Sequence, residues 1–198
     1  MKPLCWIIDA IYENPDQIVA MAKSMNYSPS NMGAYPGCNA TQRIIEPFPK
    51  SVFEKIKGSA IEIKNNYAYG VFRTAQLNDT YKTCIHFDPS RWGGIIYLNR
   101  TAPVDNGTAF WRHKKTGLTQ FPHDNWNKYG FISAHDAWNT LINIDGLDPE
   151  KWEQHQFVKG EFNRLLVLDS AHFHSHMPLQ GFNADDSGHR LIQVFFFD

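Results

Sequence analysis

The chain has 198 residues, enough for one domain with a sizeable core. Aromatic residues make up 14%, with six Trp and fourteen Phe. That content favours a packed, largely β interior and argues against a helical bundle or a disordered tail. The formal net charge is −1 and no Lys/Arg cluster recurs, so electrostatics gives no reason to expect nucleic acid or an anionic membrane as partner.

Residues 4–9, Leu-Cys-Trp-Ile-Ile-Asp, predict a first strand. Their apolar run is too short for a signal peptide, and Asp9 interrupts it. Asn14-Pro15-Asp16 is a helix start, with Pro near the first helical position. Ile18, Val19, Met21, Ala22 and Met25 then recur at helical spacing, so the helix is expected to reach about Met25. Residues 27–40 are rich in Ser, Asn, Gly and Pro and predict one long loop. After Pro47 and Pro49, the spacing of Val52, Phe53, Ile56 and Ile61 predicts a second helix. Residues 1–67 are therefore expected to form a support region packed on a core of residues 68–198.

From there the period changes. Val71 to Ala75 and Lys82 to Phe87 read as strands, and Gly93-Gly94 opens a third over Ile95 to Asn99. Asp105-Asn106-Gly107 suits a tight hairpin into Thr108-Ala109-Phe110-Trp111. Residues 115–155 spread Trp126, Trp138 and Trp152 through polar sequence and predict one or two helices in a lid-like insertion. Leu165 to Leu168 and Leu191 to Phe197 are apolar enough to be strands buried on both faces.

Cys5, Cys38 and Cys84 are odd in number and lack metal-type spacing, as expected of reduced thiols in a cytoplasmic protein. No segment approaches the length of a membrane span.

The chemistry lies in the histidines. His86 and Asp88 are two apart, so in extended chain both side chains enter one cavity while Phe87 turns into the packing behind. An imidazole and a carboxylate placed this way are two corners of a mononuclear non-haem iron(II) site, which keeps positions open for a cosubstrate and oxygen. The third corner must come from another strand, and His172, His174 and His176 are the candidates. His174 is preferred, at the mouth of the strand that ends in Leu168, with the small Ser175 beside it. His172 and His176 then face the substrate or support the ligands. Arg190 stands sixteen residues after His174, at the start of a buried strand. Its fork-shaped cation is suited to a carboxylate. A local ion pair with Asp185 or Asp186 is the competing role.

These passages resemble the iron(II)/2-oxoglutarate-dependent oxygenases, in particular the prolyl-4-hydroxylase-like branch. His86-Phe87-Asp88 is similar to the proximal motif. Ile96-Tyr97-Leu98-Asn99, followed by Asn106-Gly107-Thr108-Ala109-Phe110, is similar to that branch's Tyr-Leu-Asn strand and its Gly-x-Thr-x-Phe hairpin. Leu165 to His174 and Arg190 to Phe197 are similar to the distal half. The resemblance covers about residues 68–198. It implies a mainly β double-stranded β-helix, a cupin-like jelly roll with flanking helices. It also implies Fe(II), 2-oxoglutarate and O2 as cofactor and cosubstrates, held by His86, Asp88 and His174 with Arg190, Tyr81, Tyr97 and Asn99. The implied reaction is hydroxylation of a small molecule, amino acid or peptide with release of succinate and CO2. Arg91, Trp92 and Trp111 are candidate substrate contacts, with His172 and His176. Two departures bear on the substrate. Thr83 stands where many prolyl hydroxylases place a cosubstrate-touching Tyr, and Arg190 replaces the Lys of the collagen type. Asp88 argues against halogenation, where that carboxylate is replaced by a small residue.

Two other classes compete: a cupin-type metal enzyme that needs no 2-oxoglutarate, and a non-catalytic jelly-roll binding module. Against the first, no Glu follows the histidines at usable spacing. Against the second, the triad and Arg190 are all present.

Overall fold

A computed structural model describes residues 4–29, 36–44, 50–66, 68–79, 82–184 and 189–198. Two antiparallel sheets face each other across an apolar layer, as the expected jelly roll requires. The strands are β1 (Cys5–Ile8), β2 (Tyr27–Pro29), β3 (Cys38–Arg43), β4 (Tyr69–Ala75), β5 (Trp92–Tyr97) and β6 (Gly107–His113). They continue with β7 (Trp152–Lys159), β8 (Arg164–Asp169), β9 (His174–Met177) and β10 (Arg190–Phe197). The larger sheet has the order β1-β8-β5-β10-β4-β3-β2, and the smaller the order β7-β6-β9. Val71, Tyr97, Leu166, Ile192 and Val194 of the first meet Phe110 and Val158 of the second.

The period-2 pattern of β10 explains its central place. Arg190, Ile192 and Val194 face inward, in register with Ala75, Arg73 and Val71 of β4. Leu191 and Phe195 face outward into a second core under the helices α1 (Pro15–Lys23) and α2 (Lys50–Lys57). Phe53 of α2 lies 4.6 Å from the Phe197 ring. A Cβ at Gly94 would stand 3.0 Å from the Phe53 ring, so glycine there lets the helix approach the sheet. α1 begins with Pro15 at its first turn and Asp16 beside it, as the sequence predicts, and ends at Lys23.

Four expectations change. Residues 27–40 are not one loop, because β2 and β3 pair with each other (Tyr27 opposite Ala40) and β3 completes the edge of β4 (Cys38 opposite Thr74). Gly37, at φ +82°, permits that approach, since a Cβ would fall 1.8 Å from the Thr74 carbonyl oxygen. The strand expected over Lys82 to Phe87 is a single bridge between His86 and His174. Its neighbours bond elsewhere: the Ile85 N–H donates to the Gly146 carbonyl and the Asp88 N–H to that of Ser170. The Asn106-Gly107 turn does not close a hairpin, because β5 and β6 belong to different sheets. Instead the Asn106 amide donates to the Gly160 carbonyl at 2.8 Å and fastens the crossing between sheets.

The insertion is the fourth. It contains α3 (Ala134–Trp138), a π-helical turn over Asn139–Ile144 and short 3-10 turns. Phe121, Phe131, Ala137, Leu141 and Ile142 bury against Ala109, Trp111 and Trp152 of the smaller sheet. The segment expected to be lid-like thus packs as a buttress behind that sheet. β1, β2 and β3, from the region expected to support the core, are hydrogen-bonded into the larger sheet at its two ends. β8 and β10 are buried on both faces, as their sequences predict. No described helix is long and apolar enough to cross a membrane.

Candidate metal centre

His86 and Asp88 lie on the bridged segment, and His174 opens β9 opposite them. The His86 N–H donates to the His174 carbonyl at 3.0 Å, and the reciprocal bond is 2.7 Å. This doubly bonded pair fixes the two backbones, and extended geometry then puts both imidazoles on the side of Asp88. Phe87 turns the other way and stacks on Phe121 at 4.6 Å. One ligand atom each from His86, Asp88 and His174 lie within 4.8 Å of one another, close enough to hold one metal ion. The His86 Nε2 is 3.8 Å from Asp88 Oδ1, and the His174 Nε2 is 3.2 Å from Asp88 Oδ2.

The far side of each imidazole is also committed. His86 Nδ1 lies 2.8 Å from the Cys84 carbonyl oxygen, and His174 Nδ1 lies 2.8 Å from that of His172. A carbonyl only accepts, so each Nδ1 carries the proton and each Nε2 is turned to the centre. Burial, then the neighbouring His174, pulls the His86 imidazole down to about 4, which keeps its lone pair available. Burial also opposes charge on His174 and on Asp88, but their mutual hydrogen bond prevails. It holds the imidazole above and the carboxyl below its usual range.

A cavity of about 120 Å³ extends from this centre between the sheets. Ile95, Leu168, Ile192, Val194 and Phe196 give it apolar walls, and Gly93 keeps one wall low. A Cβ at Gly93 would stand 3.2 Å from the Ser170 hydroxyl. Arg190 reaches the same cavity. It is buried with its guanidinium 5.9 Å from the Tyr97 ring centre, and among the described residues its Nε has no hydrogen-bond partner and no carboxylate pairs with it. Burial pulls the guanidinium down to about 10. A buried guanidinium with an unmet donor calls for an anion. The donor set and this cation therefore suit a divalent metal with a carboxylate-bearing ligand beside it. Asp185 and Asp186, the competing partners for Arg190, lie outside the described residues, as does Tyr81.

Other predicted residues are placed differently. The Tyr97 hydroxyl is 2.7 Å from that of Thr108 and ties the sheets together. Asn99 receives the Leu191 N–H and donates to the His189 carbonyl, so it holds the backbone on either side of Arg190. Neither lines the cavity. Trp92 packs against Trp6 on the outer face, and Trp111 donates to Ser175 from within the smaller sheet's outer core. Arg91 is paired with Asp169 at 2.7 Å. His172 Nε2 meets the Gln120 amide at 2.6 Å, away from the cavity. His176 does line it, and its Nε2 donates to the Leu179 carbonyl.

Arg73 also lines the cavity, and sequence reasoning missed it. Its signal was an arginine at inward parity in an otherwise apolar strand. Thr83 and Thr108 add hydroxyls to the lining.

The model of the DUF6445 family, described as a family of unknown function, matches residues 2–196. No curated protein matches the chain in sequence. Among solved structures, HygX from Streptomyces hygroscopicus, with nickel, 2-oxoglutarate and hygromycin B bound, superposes with a TM-score of 0.52 at 12% identity. The match covers 99% of this chain and 83% of HygX. SnoK, a non-heme alpha-ketoglutarate-dependent carbocyclase from nogalamycin biosynthesis, gives 0.57 at 10% identity, over 100% of this chain and 80% of SnoK. The fold is therefore the one found in iron(II)/2-oxoglutarate oxygenases.

Proposed function

The chain belongs to the DUF6445 family, and we propose that it is an iron(II)- and 2-oxoglutarate-dependent dioxygenase. Its reaction in this reading is hydroxylation of an unactivated C–H bond in a small molecule, amino acid or peptide. The observation that carries the reading is the convergence of His86, Asp88 and His174 on a cavity that also contains the buried Arg190. The shared fold of HygX and SnoK supports it.

His86, Asp88 and His174 would hold the iron. Two neutral imidazoles and one carboxylate form a facial set that leaves coordination positions open. Iron(II), once bound, would supply oxygen activation coupled to decarboxylation of 2-oxoglutarate, giving succinate and CO2. The Cys84 and His172 carbonyls keep each ligand imidazole in the tautomer that presents Nε2. Arg190 would receive the far carboxylate of the cosubstrate through paired N–H donors, and Asn99 fixes the backbone from which it projects. The apolar walls exclude water and strengthen each charge contact inside.

The test is anaerobic titration of the iron(II)-loaded protein with 2-oxoglutarate, following the weak visible charge-transfer absorption of a chelated keto acid. Its appearance is expected. Its absence in protein shown to hold iron would sink the reading and favour a cupin-type enzyme without 2-oxoglutarate.

A further inference from the structure

We propose that two connections at one side of the cavity form a latch, which opens to admit 2-oxoglutarate and is held shut by it once bound. The first is residues 76–79, after β4, and the second is residues 178–183, after β9. The proposal rests on the oxygenase reading given above.

Position comes first. Gln76 and Asp79 of the first connection line the cavity, as do Leu179, Gln180 and Gly181 of the second. Gln76 and Gln180 are exposed as well, so cavity and solvent meet here. Few contacts join the two connections. The Asn78 N–H donates to the Gln180 carbonyl at 2.9 Å, and the Leu77 N–H donates to the Asn183 side-chain oxygen at 3.2 Å. Gly181, at φ +77°, lets them touch, since a Cβ there would fall 2.5 Å from the Gln76 carbonyl oxygen. Leu77, Asn78 and Asn183 are all exposed. Hydrogen bonds with this exposure and so little packed around them break in local openings that leave the rest of the fold intact.

The metal end is built in the opposite way. His86 and His174 exchange two backbone bonds, the Asp88 N–H donates to the Ser170 carbonyl at 3.0 Å, and the Ser170 N–H donates to that of Arg91 at 3.2 Å. Phe87 and Phe173 back these bonds inside an apolar core. Of these two parts of the cavity wall, the latch is the one that opens at the lower cost.

Chain connectivity then couples the latch to the ligand. Ala75, in register with Arg190, precedes the first connection, and the chain beyond it leads to His86. β9 opens with His174 and precedes the second connection, and the chain beyond that leads to Arg190. Each connection thus runs between an iron ligand and the Arg190 end of the site. The second is also tied back to β9, because His176 Nε2 donates to the Leu179 carbonyl at 3.0 Å. A cosubstrate gripped by the iron at one end and by Arg190 at the other would fix both ends of both connections. Less freedom at the ends favours the shut latch.

The experiment follows amide hydrogen exchange and binding rates in the full chain without oxygen. In the metal-free protein the Leu77 and Asn78 amides should exchange at least about tenfold faster than those of Asp88 and Ser170, corrected for intrinsic rates. Iron(II) with saturating 2-oxoglutarate should slow the first pair about tenfold or more. Rapid mixing with 2-oxoglutarate, read by the charge-transfer absorption, gives the rate of entry, and displacement by excess N-oxalylglycine gives the rate of release. Asn183→Ala removes an exposed side chain that does not line the cavity. It should raise both rates about fivefold, the size of one lost hydrogen bond, and change affinity less than about twofold. Gly181→Ala should raise both rates further, since its Cβ forces the connections apart. Unchanged rates in both variants overturn the proposal. So does faster release alone with a matching loss of affinity, which would make the segment a direct cosubstrate contact. Leu77 and Asn78 amides as slow as that of Asp88 in the metal-free protein overturn it as well. If Gly181→Ala fails to fold, the two rates of Asn183→Ala decide. If the charge-transfer absorption never forms, the oxygenase reading has failed instead, and exchange at Leu77 and Asn78 in the metal-free protein still decides whether the latch opens.

Discussion

His86 and His174 each give one ring nitrogen to a carbonyl and turn the other toward Asp88. The same residue types on the surface would lack that constraint, and it is what separates this trio from a chance grouping. Removing a hydrogen bond behind a metal ligand costs 10- to 100-fold in affinity in general, so losing a ligand should cost more than about 100-fold. Asp88→Ala and His174→Ala are each expected to do so, measured by iron(II) titration, with succinate formation lost. His172→Ala and His176→Ala should keep the metal, and iron loss in either would move the distal ligand. Arg190 behaves differently because it is buried without a carboxylate among the described residues. Arg190→Met should weaken 2-oxoglutarate binding roughly 30-fold or more, as for a truncated buried charge contact. It should also leave the metal-free protein as stable or more so, by ~1 kcal/mol, since a buried cation held only over the Tyr97 ring, with no carboxylate partner among the described residues, is costly. A clear fall in melting temperature of the metal-free variant would show that Arg190 has an anionic structural partner.

At the scale of elements, the segment bearing His86 is too irregular to hold itself in place. Its hydrogen bonds go to β9, to the β8–β9 connection and to Gly146 in the insertion. Asp145, next to Gly146, is pinned in turn by His113 at 3.0 Å, and its carbonyl accepts from the Trp152 indole at 2.8 Å. The insertion therefore acts on the candidate metal centre from behind. A Cβ at Gly146 would fall 2.7 Å from the Ile85 carbonyl oxygen. Gly146→Val should displace the His86 backbone and weaken iron(II) binding by about tenfold, the cost of a lost supporting contact. Unaltered iron affinity in a folded Gly146→Val protein would dismiss the buttress. This link was not legible in the sequence, because the polar stretch 115–155 carries no strong period and its partner lies some sixty residues earlier. The strand predicted over Lys82 to Phe87 failed for a related reason. Its apolar residues serve a core on one side, but its backbone groups are shared among three partners and not one ladder.

Across the whole molecule, several histidines are buried in the neutral form. Burial is the first cause of the downward shifts of His113, His86 and His176, the last two to about 4 and about 3. Below the unfolded value of about 6.5 the unfolded chain takes up protons that the folded chain refuses. Their contribution to stability is thus complete above that value and declines as the pH falls from 6.5 toward 4. His174 has the opposite sign, because its raised value makes its share present in acid and lost as the pH rises through that value. His155 and His172 are shifted down by burial as well, so with five histidines against one the metal-free protein is expected to melt at lower temperature at pH 5 than at pH 7. Thermal denaturation across that range checks it, and a higher melting temperature at pH 5 would reverse the balance of these groups.

The sequence by itself determined the local periodicities and the chemistry they serve. Alternation set the inward face of β10 with Arg190 on it, the i, i+2 spacing aimed His86 and Asp88 together, and α1 was bounded by its own Pro and Asp. Those features depend on backbone geometry over a few residues, which neighbours in sequence fix. Only the tertiary structure decided which of three alternating histidines meets Asp88, because that choice depends on the His86–His174 bridge across 88 positions. It also turned Tyr97, Asn99, Trp92 and Trp111 into packing and bracing groups, and it brought Arg73 into the cavity. Whether an aromatic or a cation faces a cavity or a core is set by what stands opposite, and in a two-sheet fold the opposite wall comes from distant sequence.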